Sequence, residues 1–362
     1  MRESSIVVRP QPMDSASYTA SSRLQAAGMD DGIRLFAQAA HEVSLPQPPQ
    51  PITIADYGAA TGYNSLVPVG TAVRILRERT RADHAILVAH TDLPDNDFSG
   101  LFTTLAEDPD SYLRIDGATF PSAVGRSFYQ QILPSESIAL GWSSWATHWL
   151  SRVPAPIGDH IHIAFSADAA ARNAYARQAA VDWHDFLAFR GREMAPGGRL
   201  VVLTLGVDAA GRPGFDAALQ ALLAALRHLV AEGALTETEL HRMVVPTVGR
   251  TEKDFLAPFA PSGRLEGLSV EHLELFDAED RFWTRFQSDG DAEGFGARWA
   301  AFVRAAVFPT LLTALDDETD LTRSAAIVSR LESELAARLA ASPRAMPIPL
   351  AGLLLRKRPR FS

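Results

Sequence analysis

Cysteine is absent from this chain of 362 residues. Without thiols the chain can form neither disulfide bonds nor thiolate metal sites, and it has no cysteine nucleophile. A surplus of basic residues is missing as well, because 34 Lys and Arg stand against 43 Asp and Glu, which gives a net charge of −9. That balance does not favour nucleic-acid binding.

Long apolar runs are also absent, since no segment reaches the roughly 18 residues that a membrane span needs. Residues 1–12 lack the apolar core of a secretory signal. Hydrophobic residues make up 47% and charged residues 21% of the chain, as in ordinary globular proteins. We therefore expect a cytoplasmic enzyme with one large α/β domain, or a core domain with an insertion, and with neither a nucleic-acid nor a membrane partner.

The most informative segment, ITIADYGAATGYNS, spans residues 52–65. It predicts a buried strand, a glycine loop and the start of a helix, which together hold adenosine-type cofactors in doubly wound α/β proteins. Gly58 and Gly62 are spaced G-x-x-x-G, and Asp56 precedes the first glycine, unlike the pattern of a dinucleotide site. A carboxylate beside the loop suits S-adenosylmethionine (SAM), which has an amino acid and a sulfonium but no phosphate. A nucleotide site and a plain strand-to-helix turn are the alternatives.

Strands and helices alternate up to about residue 205, which predicts a mostly parallel sheet with helices on both faces. The predicted elements are helix 17–43, strand 52–56, helix 65–79, strand 85–90, helix 98–107, strand 137–140, helix 168–192, turn 196–198, strand 199–205, helices 215–230, 237–244 and 295–315, strand 268–276, helix 321–341 and strand 347–355.

We divide the chain into a flexible N-terminus (1–12), an α/β core with an N-terminal lid helix (13–206), a mainly helical cap with the substrate pocket and dimer contacts (207–320), and a last helix and strand that return to the core (321–362).

Two further segments carry polar side chains typical of a ligand site. Tyr18, Ser22 and Gln25 share one face of the first helix, where they would cover a ligand or simply face solvent. Asp92 ends the second strand, where its carboxylate could accept both hydroxyls of a ribose. A helix N-cap or a turn is the alternative for Asp92.

Two other segments are aromatic. Ser127 and Phe128 could hydrogen-bond and stack an adenine, or could start a helix. Residues 142–154 contain three of the six tryptophans and also His148. Because a buried indole N–H seeks a partner, this density indicates an aromatic pocket with a directed donor, with core packing as the alternative.

Together these segments resemble the SABATH family of SAM-dependent methyltransferases, the plant-type carboxyl methyltransferases of salicylate, benzoate and jasmonate, with a branch that methylates xanthine nitrogens. The matches are collinear: residues 17–25 with S-Y-x-x-N-S-x-x-Q, 55–65 with A-D-L-G-C-S-S-G-P-N-T, 91–98 with N-D-L-P-x-N-D-F, 126–134 with G-S-F-Y-x-x-L-F-P, 143–154 with S-S-Y-S-L-H-W-L-S-x-V-P and 186–201 with F-L-x-x-R-x-x-E-L-x-P-G-G-R-M-V. The departures are Ser21 for Asn, Tyr63 for Pro, Ser65 for Thr, Trp145 for Tyr, and a longer stretch at 121–127.

The resemblance implies a Rossmann-like class I methyltransferase sheet with an inserted helical cap, SAM as cofactor, no metal, and a homodimer. Its implied cofactor residues are Tyr18, Ser22, Asp56 and Asn64 for the methionine half, Gly58 in the glycine loop, Asp92 for the ribose, and Leu93, Ser127 and Phe128 for the adenine. Its implied substrate residues are Gln25 and Trp149 as donors to the substrate carboxylate, with Trp145, His148, Met243, Val244 and Phe308 lining the pocket.

The function that follows is formation of the methyl ester of a small, aromatic or apolar carboxylic acid. A carboxylate is already ionised at neutral pH, so the reaction needs no general base, and His148 is expected to be a pocket wall. Methyl transfer to a ring nitrogen and a non-catalytic SAM- or acid-binding protein are the alternatives. An NAD-dependent oxidoreductase is disfavoured by the glycine spacing and by the position of Asp56.

Overall fold

In the computed structural model, which describes residues 28–316 and 320–359, seven strands form a single sheet. The strands are β1 (Ile52–Tyr57), β2 (Ile86–Asp92), β3 (Thr119–Gly125), β4 (Ile138–Ser144), β5 (Met194–Leu205), β6 (Leu268–Asp277) and β7 (Pro349–Lys357). Their order across the sheet is β3-β2-β1-β4-β5-β7-β6. The first five are parallel, and β7 runs antiparallel between β5 and β6. The strand order reverses between β1 and β4, which is where doubly wound proteins bind ligands.

Eleven α-helices lie in the described part of the chain. They are α1 (Met29–Glu42), α2 (Leu66–Glu78), α3 (Phe98–Glu107), α4 (Ala169–Glu193), α5 (Asp216–Ala231), α6 (Glu237–Arg242), α7 (Glu252–Leu256), α8 (Arg281–Asp289), α9 (Ala292–Ala306), α10 (Phe308–Leu312) and α11 (Leu321–Ala341). Among these described helices, none is long and apolar enough to cross a membrane.

Helices cover both faces of the sheet, because alternate residues of the buried strands point to opposite sides. On one face Phe36 of α1 packs against Trp142 of β4, with ring centroids 5.1 Å apart. On the other face Phe186 of α4 packs edge-on against Tyr57 of β1 at 6.2 Å. The predicted α/β class, with its doubly covered and mostly parallel sheet, is confirmed.

The cap helices form a separate layer of packing. Helix α11 packs against α9 and α5, and at Gly296 of α9 a Cβ atom would lie 2.2 Å from the carbonyl oxygen of Ala336 in α11. The two helices therefore approach closely where the side chain is missing. The last helix, which the sequence division grouped with the returning strand, lies against the cap. The division near residue 207 stays a prediction.

Two strand predictions differ from the structure. Strand β3 was not predicted, because it is an edge strand that contains Pro121 and leaves Phe120 51% exposed, so that its pattern is weak. The turn predicted at 196–198 is a bulge within β5. Ile138 of β4 pairs with Met194 and Leu140 pairs with Arg199, so the intervening residues of β5 loop out of the ladder.

Two predicted helices differ in extent from the helices of the structure. The helix predicted at 295–315 is divided at Val307 into α9 and α10, because Pro309 in the first turn of α10 cannot donate a hydrogen bond to the preceding turn. Of the helix predicted at 17–43, the structure describes only the C-terminal part, which is α1.

Candidate active site

A cavity of about 830 Å³ opens beyond the carboxyl ends of β1, β2 and β4. We call its two sides the loop half, lined by residues 58–60, 64–65, 92–93 and 127–130, and the cap half, lined by residues 213–215, 218–219, 222, 245, 247, 249, 302–303, 305–307 and 309–310. Residues 144–152, which follow β4, lie between the two halves. Within the described ranges, no group of three or more acidic or histidine residues is placed to hold a metal ion.

The glycine loop bends sharply over the end of β2. The backbone N–H groups of Gly58 and Ala59 both donate to the carbonyl oxygen of Thr91, at 2.9 and 3.0 Å. Gly58 has φ of +85°, and a Cβ atom there would lie 2.5 Å from the Cβ of Ala146. Only glycine combines this conformation with this contact, so the loop fits closely against the segment that follows β4.

Asp92 lies in the loop half, at the end of β2. One carboxylate oxygen accepts the N–H of Ala60 and the other accepts the N–H of Leu93, each at 2.7 Å. Burial raises the pKa of Asp92, and the two N–H bonds oppose that shift. Asp92 is not a helix cap, because Asp97 caps α3. Each oxygen of Asp92 keeps a lone pair for a ligand hydroxyl.

Asp56, which is predicted to hold the methionine half of SAM, lies beneath the glycine loop and outside the lining of the cavity. It is 1% exposed and is not among the residues that line the cavity. One of its carboxylate oxygens accepts the Ser65 hydroxyl at 2.6 Å and lies 2.8 Å from Nδ1 of His90. Asp56 thus braces the glycine loop from beneath, and its direct contact with a cofactor stays a prediction.

The loop that carries Ser127 and Phe128 is held by a buried cation that the sequence analysis did not single out. Arg190 of α4 donates to the carbonyl oxygens of Phe128 at 2.6 Å and Gln130 at 2.9 Å. The guanidinium also lies over the ring of Tyr57, 4.4 Å from its centroid. This side chain is 0% exposed, so the position of the loop depends on one buried charge.

Glu193 completes this support. Its carboxylate accepts two hydrogen bonds from Arg190, at 2.7 and 2.8 Å. It also accepts the N–H groups of Ile132 and Leu133 and the hydroxyl of Tyr57, at 2.7, 3.0 and 2.9 Å. The R-x-x-E spacing in residues 186–201 was the available signal, but it does not reveal partners some 60 residues away in sequence.

The aromatic segment after β4 turns abruptly into the cavity. Trp145 has φ of +54°, and its N–H is tied to the carbonyl oxygen of Leu203 at 2.9 Å. Its ring meets His148 edge-on at 6.2 Å, and His148 in turn contacts Trp149 at 5.8 Å. Trp145 Nε1 and His148 Nδ1 are buried and have no hydrogen-bond partner within residues 28–316 and 320–359. A strained, aromatic wall with unused polar atoms is typical of a ligand site.

His148 is a poor base. Burial, together with the nearby cation of Arg250 and the ring of His162, lowers the pKa of His148 to about 3. The ring is therefore neutral at pH 7. Arg250 itself is 2% exposed and donates to the carbonyl oxygens of Thr147 and Ala179 at 2.8 and 3.1 Å.

The cap half is apolar except for two threonines and the ring of His162, whose pKa burial lowers to about 4. Its lining side chains among the described residues carry no charge at pH 7; they are His162, Leu205, Pro213, Phe215, Ala218, Leu219, Leu222, Val245, Thr247, Phe302, Val303, Ala305, Ala306, Val307, Pro309 and Thr310. Charged and amide side chains line another part of the cavity, where Arg152, Gln178, Asp182 and Asp185 contribute. Asp182 accepts the N–H and the hydroxyl of Ser151 at 2.8 and 2.6 Å.

Three substrate residues predicted for the cap lie outside the lining of the cavity, and their contact with a substrate stays a prediction. Met243 and Phe308 belong to the main apolar core, and Val244 belongs to a smaller cluster with Tyr175. All three are buried and none lines the cavity. Their neighbours Val245, Thr247, Val307 and Pro309 do so instead. The position along the chain was nearly right, but a shift of one residue moves a side chain to another face.

The remaining predicted residues divide into two sets. The cavity is lined by Gly58, Asn64, Asp92, Leu93, Ser127, Phe128, Trp145, His148 and Trp149. Tyr18, Ser22 and Gln25 lie outside the described residues.

Comparison with known proteins gives a consistent result. A family model described as SAM-dependent carboxyl methyltransferase matches residues 8–343. Salicylate carboxymethyltransferase of Clarkia breweri is 29% identical over 277 residues, which are 72% of this chain and 74% of that protein. Methyltransferase LUC1 of a Fusarium species is 33% identical over 242 residues, 66% of this chain and 63% of that protein.

A solved structure shows the same fold. Loganic acid methyltransferase with SAH superimposes with a TM-score of 0.76 at 22% sequence identity. The match covers 97% of this chain and 99% of that one. At this identity the likeness concerns the fold alone.

Proposed function

This chain belongs to the SAM-dependent carboxyl methyltransferase family, and from this premise we propose that its acceptor is a small aromatic or apolar carboxylic acid bound in the cap half. The observation that carries the proposal is the division of one cavity into a loop half that contains the carboxylate of Asp92 and an uncharged cap half, with Trp149 between them.

The loop half fits SAM. Both oxygens of Asp92 accept one backbone N–H each, which leaves lone pairs for the two ribose hydroxyls. Leu93, Ser127 and Phe128 line the same side of the cavity and would hold the adenine. Asn64 and the glycine loop would hold the methionine half. When bound, SAM supplies an activated methyl group.

The residues after β4 suit a carboxylate nucleophile. The acid is ionised at neutral pH, so this chain needs no group to remove a proton. The low pKa of His148 agrees with this, because a ring with so low a pKa is a weak base. Trp149 would donate its indole N–H to the carboxylate. Fixing the orientation of two reactants can contribute about 7–11 kcal/mol to a reaction of this kind.

The substrate class follows from the lining of the cap half. Phe215, Leu222, Phe302 and Val303 offer apolar surface without a charged partner for a second ionic group. Relatives of this chain are named for salicylate and for benzoic acid, which are small aromatic acids. We assign the same chemical class, with the aromatic or alkyl body of the acid against α5 and α9.

The test is methyl transfer from radiolabelled SAM to benzoates, cinnamates, indole-3-acetate and medium-chain fatty acids, with the matching amides, phenols and xanthines as controls. We expect a base-labile methyl ester on one class of acid and no label on the controls. Base-stable product on a xanthine or a phenol, or SAM binding without transfer to any acid, would contradict the proposal.

A cytoplasmic location and assembly as a homodimer, both expected from the sequence, belong to the same proposal. The homodimer is supported only by the resemblance to the family. Light scattering of the purified full chain would give twice the 39.2 kDa mass of one chain if the proposal is right, and the single mass if it is wrong.

A further inference from the structure

A histidine that no part of the proposed mechanism uses lines the cavity next to Thr247. His162 is 3% exposed, and its Nδ1 accepts the backbone N–H of Ala164 at 3.2 Å. Nδ1 therefore carries a lone pair, and the single proton of the neutral ring is on Nε2. Burial lowers the pKa of His162 to about 4, so the ring stays neutral and keeps this tautomer at pH 7.

The tautomer fixes the direction of the next hydrogen bond. Nε2 of His162 lies 3.1 Å from Oγ1 of Thr247. Because Nε2 carries the proton, it donates and cannot accept from the threonine hydroxyl. The Thr247 hydroxyl thus has an incoming hydrogen bond and must place its own proton elsewhere. Within residues 28–316 and 320–359, no group accepts that proton.

The hydroxyl proton of Thr247 can be donated to a ligand in the cavity. Thr247 lines the cavity although it is only 7% exposed, and its backbone forms an antiparallel bridge with Trp149. Residues directly opposite each other in such a bridge point to the same side, with Cβ atoms about 4.5–5.5 Å apart. The hydroxyl of Thr247 and the indole of Trp149 therefore face one region of the cavity.

We infer that Thr247 is a substrate-binding residue that donates a hydrogen bond to the carboxylate of the acid beside Trp149, with His162 as the positioning residue that orients the hydroxyl. The inference rests on the proposed function, because it assumes an acid in the cap half. Thr247 would be a second neutral hydrogen-bond donor to the carboxylate, besides Trp149. No cation is required at that place.

The first experiment compares Thr247→Val with Thr247→Ser in steady-state kinetics. Valine keeps the shape but has no hydroxyl, so we expect KM for the acid to rise about tenfold or more, because hydrogen bonds to charged groups are the stronger ones. Serine should restore most of the loss. The Kd for SAM, measured by calorimetry, should stay within about twofold and shows that the variant is folded.

The acid panel separates a contact with the carboxylate from a contact with a substituent. Benzoate, 2-methylbenzoate and 2-methoxybenzoate should lose affinity to a similar extent in Thr247→Val. An unchanged KM for all three acids, or a rise in KM for 2-methoxybenzoate alone, would overturn the inference. If the wild-type protein forms no methyl ester at all, the proposed function fails; if it does and Thr247→Val matches it, only this inference fails.

The role of His162 has its own pair of variants. His162→Leu removes the donor that orients the hydroxyl, so KM for the acid should rise by about two- to threefold, less than in Thr247→Val. His162→Gln keeps an N–H near Thr247 and should recover the wild-type KM. Equal KM values for the two variants would contradict the positioning role.

Discussion

The loop half and the cap half of the cavity are built in different ways. In the loop half, short segments at strand ends supply the lining, such as Asp92 at the end of β2. In the cap half, side chains from α5, α9, α10 and residues 245–249 meet on one surface. The loop half therefore depends on which residue ends a strand, and the cap half depends on which face of each helix turns inward.

Two Arg–Glu pairs differ in exposure, a fully buried one beside the loop half and a partly exposed one among the cap helices. Arg190 and Glu193, beneath the loop half, are both 0% exposed. Arg323 and Glu239, which join helices of the cap, are 31% and 0% exposed. Glu239 binds Arg323 at 2.7 and 2.9 Å and accepts the N–H of Asp316 at 3.1 Å. It thereby ties α6 to α11 and to the segment that follows α10.

The largest effect is expected in the loop half at Asp92. Asp92→Ala removes the acceptor for two ribose hydroxyls, and hydrogen bonds to a charged group contribute about 1.5–3 kcal/mol each. The Kd for SAM should therefore rise about a hundredfold or more. The Kd of Asp92→Asn should lie between those of the wild type and Asp92→Ala. Calorimetry with SAM measures both variants, and an unchanged Kd in Asp92→Ala would refute the assignment of this half to the cofactor.

The second prediction concerns the fully buried pair. Glu193→Gln leaves the Arg190 cation without its carboxylate, and breaking such a pair costs about 3–5 kcal/mol. We expect the free energy of unfolding to fall by about 3 kcal/mol and the Kd for SAM to rise, because the loop of Ser127 and Phe128 loses support.

The matched control is an exposed pair between the same helix and the segment before β6. Arg192 binds Glu266 at 3.1 Å with exposures of 49% and 38%, and such surface pairs contribute about 0–1 kcal/mol. Glu266→Gln should therefore change stability little and leave SAM binding intact. Equal losses in Glu193→Gln and Glu266→Gln in urea unfolding would show that burial does not distinguish the two pairs.

The third prediction is the cap-half counterpart. The hydrogen bonds from Arg323 lower the pKa of Glu239 to about 2. Because Arg323 is partly solvated, Glu239→Gln should cost about 1–2 kcal/mol, less than Glu193→Gln. KM for the acid should rise while the Kd for SAM stays the same. Glu237→Gln on the exposed face of α6 is the control. A loss of SAM affinity in Glu239→Gln would contradict the division of the cavity into a cofactor half and an acid half.

The smallest effect is a pH dependence of stability in the region that joins the halves. The folded-state pKa of His148 is lowered to about 3, against about 6.5 in the unfolded chain. Between these values the unfolded chain binds the extra proton, so the free energy of unfolding falls as the pH drops below 6.5. His148→Phe should lose about 1 kcal/mol less than the wild type between pH 6 and 5. Parallel stability curves in urea would contradict the burial of a neutral ring.

The two halves also differ in how far the sequence predicts them. Asp92, Leu93, Ser127 and Phe128 do line the cavity, because a strand end and the loop after it are local features; their contacts with a cofactor stay predictions. Phe308 was displaced by one residue from Val307 and Pro309, since the break between α9 and α10 rotates the helix face and cannot be located from periodicity alone. Arg190 and Glu193 are only three residues apart, but the loop groups that they hold, such as the carbonyl oxygen of Phe128, lie some 60 residues away. His162 and Thr247 are likewise 85 residues apart, and no local pattern reveals such contacts.

The most direct test of the division is calorimetric and kinetic comparison of Trp149→Phe with the wild type. Phenylalanine keeps an aromatic ring but loses the indole N–H, so the account predicts that KM for the acid rises about tenfold while the Kd for SAM changes less than about twofold. A parallel loss of SAM affinity, or an unchanged KM for every acid that the wild type methylates, would contradict the assignment of one half to the cofactor and the other to the acid.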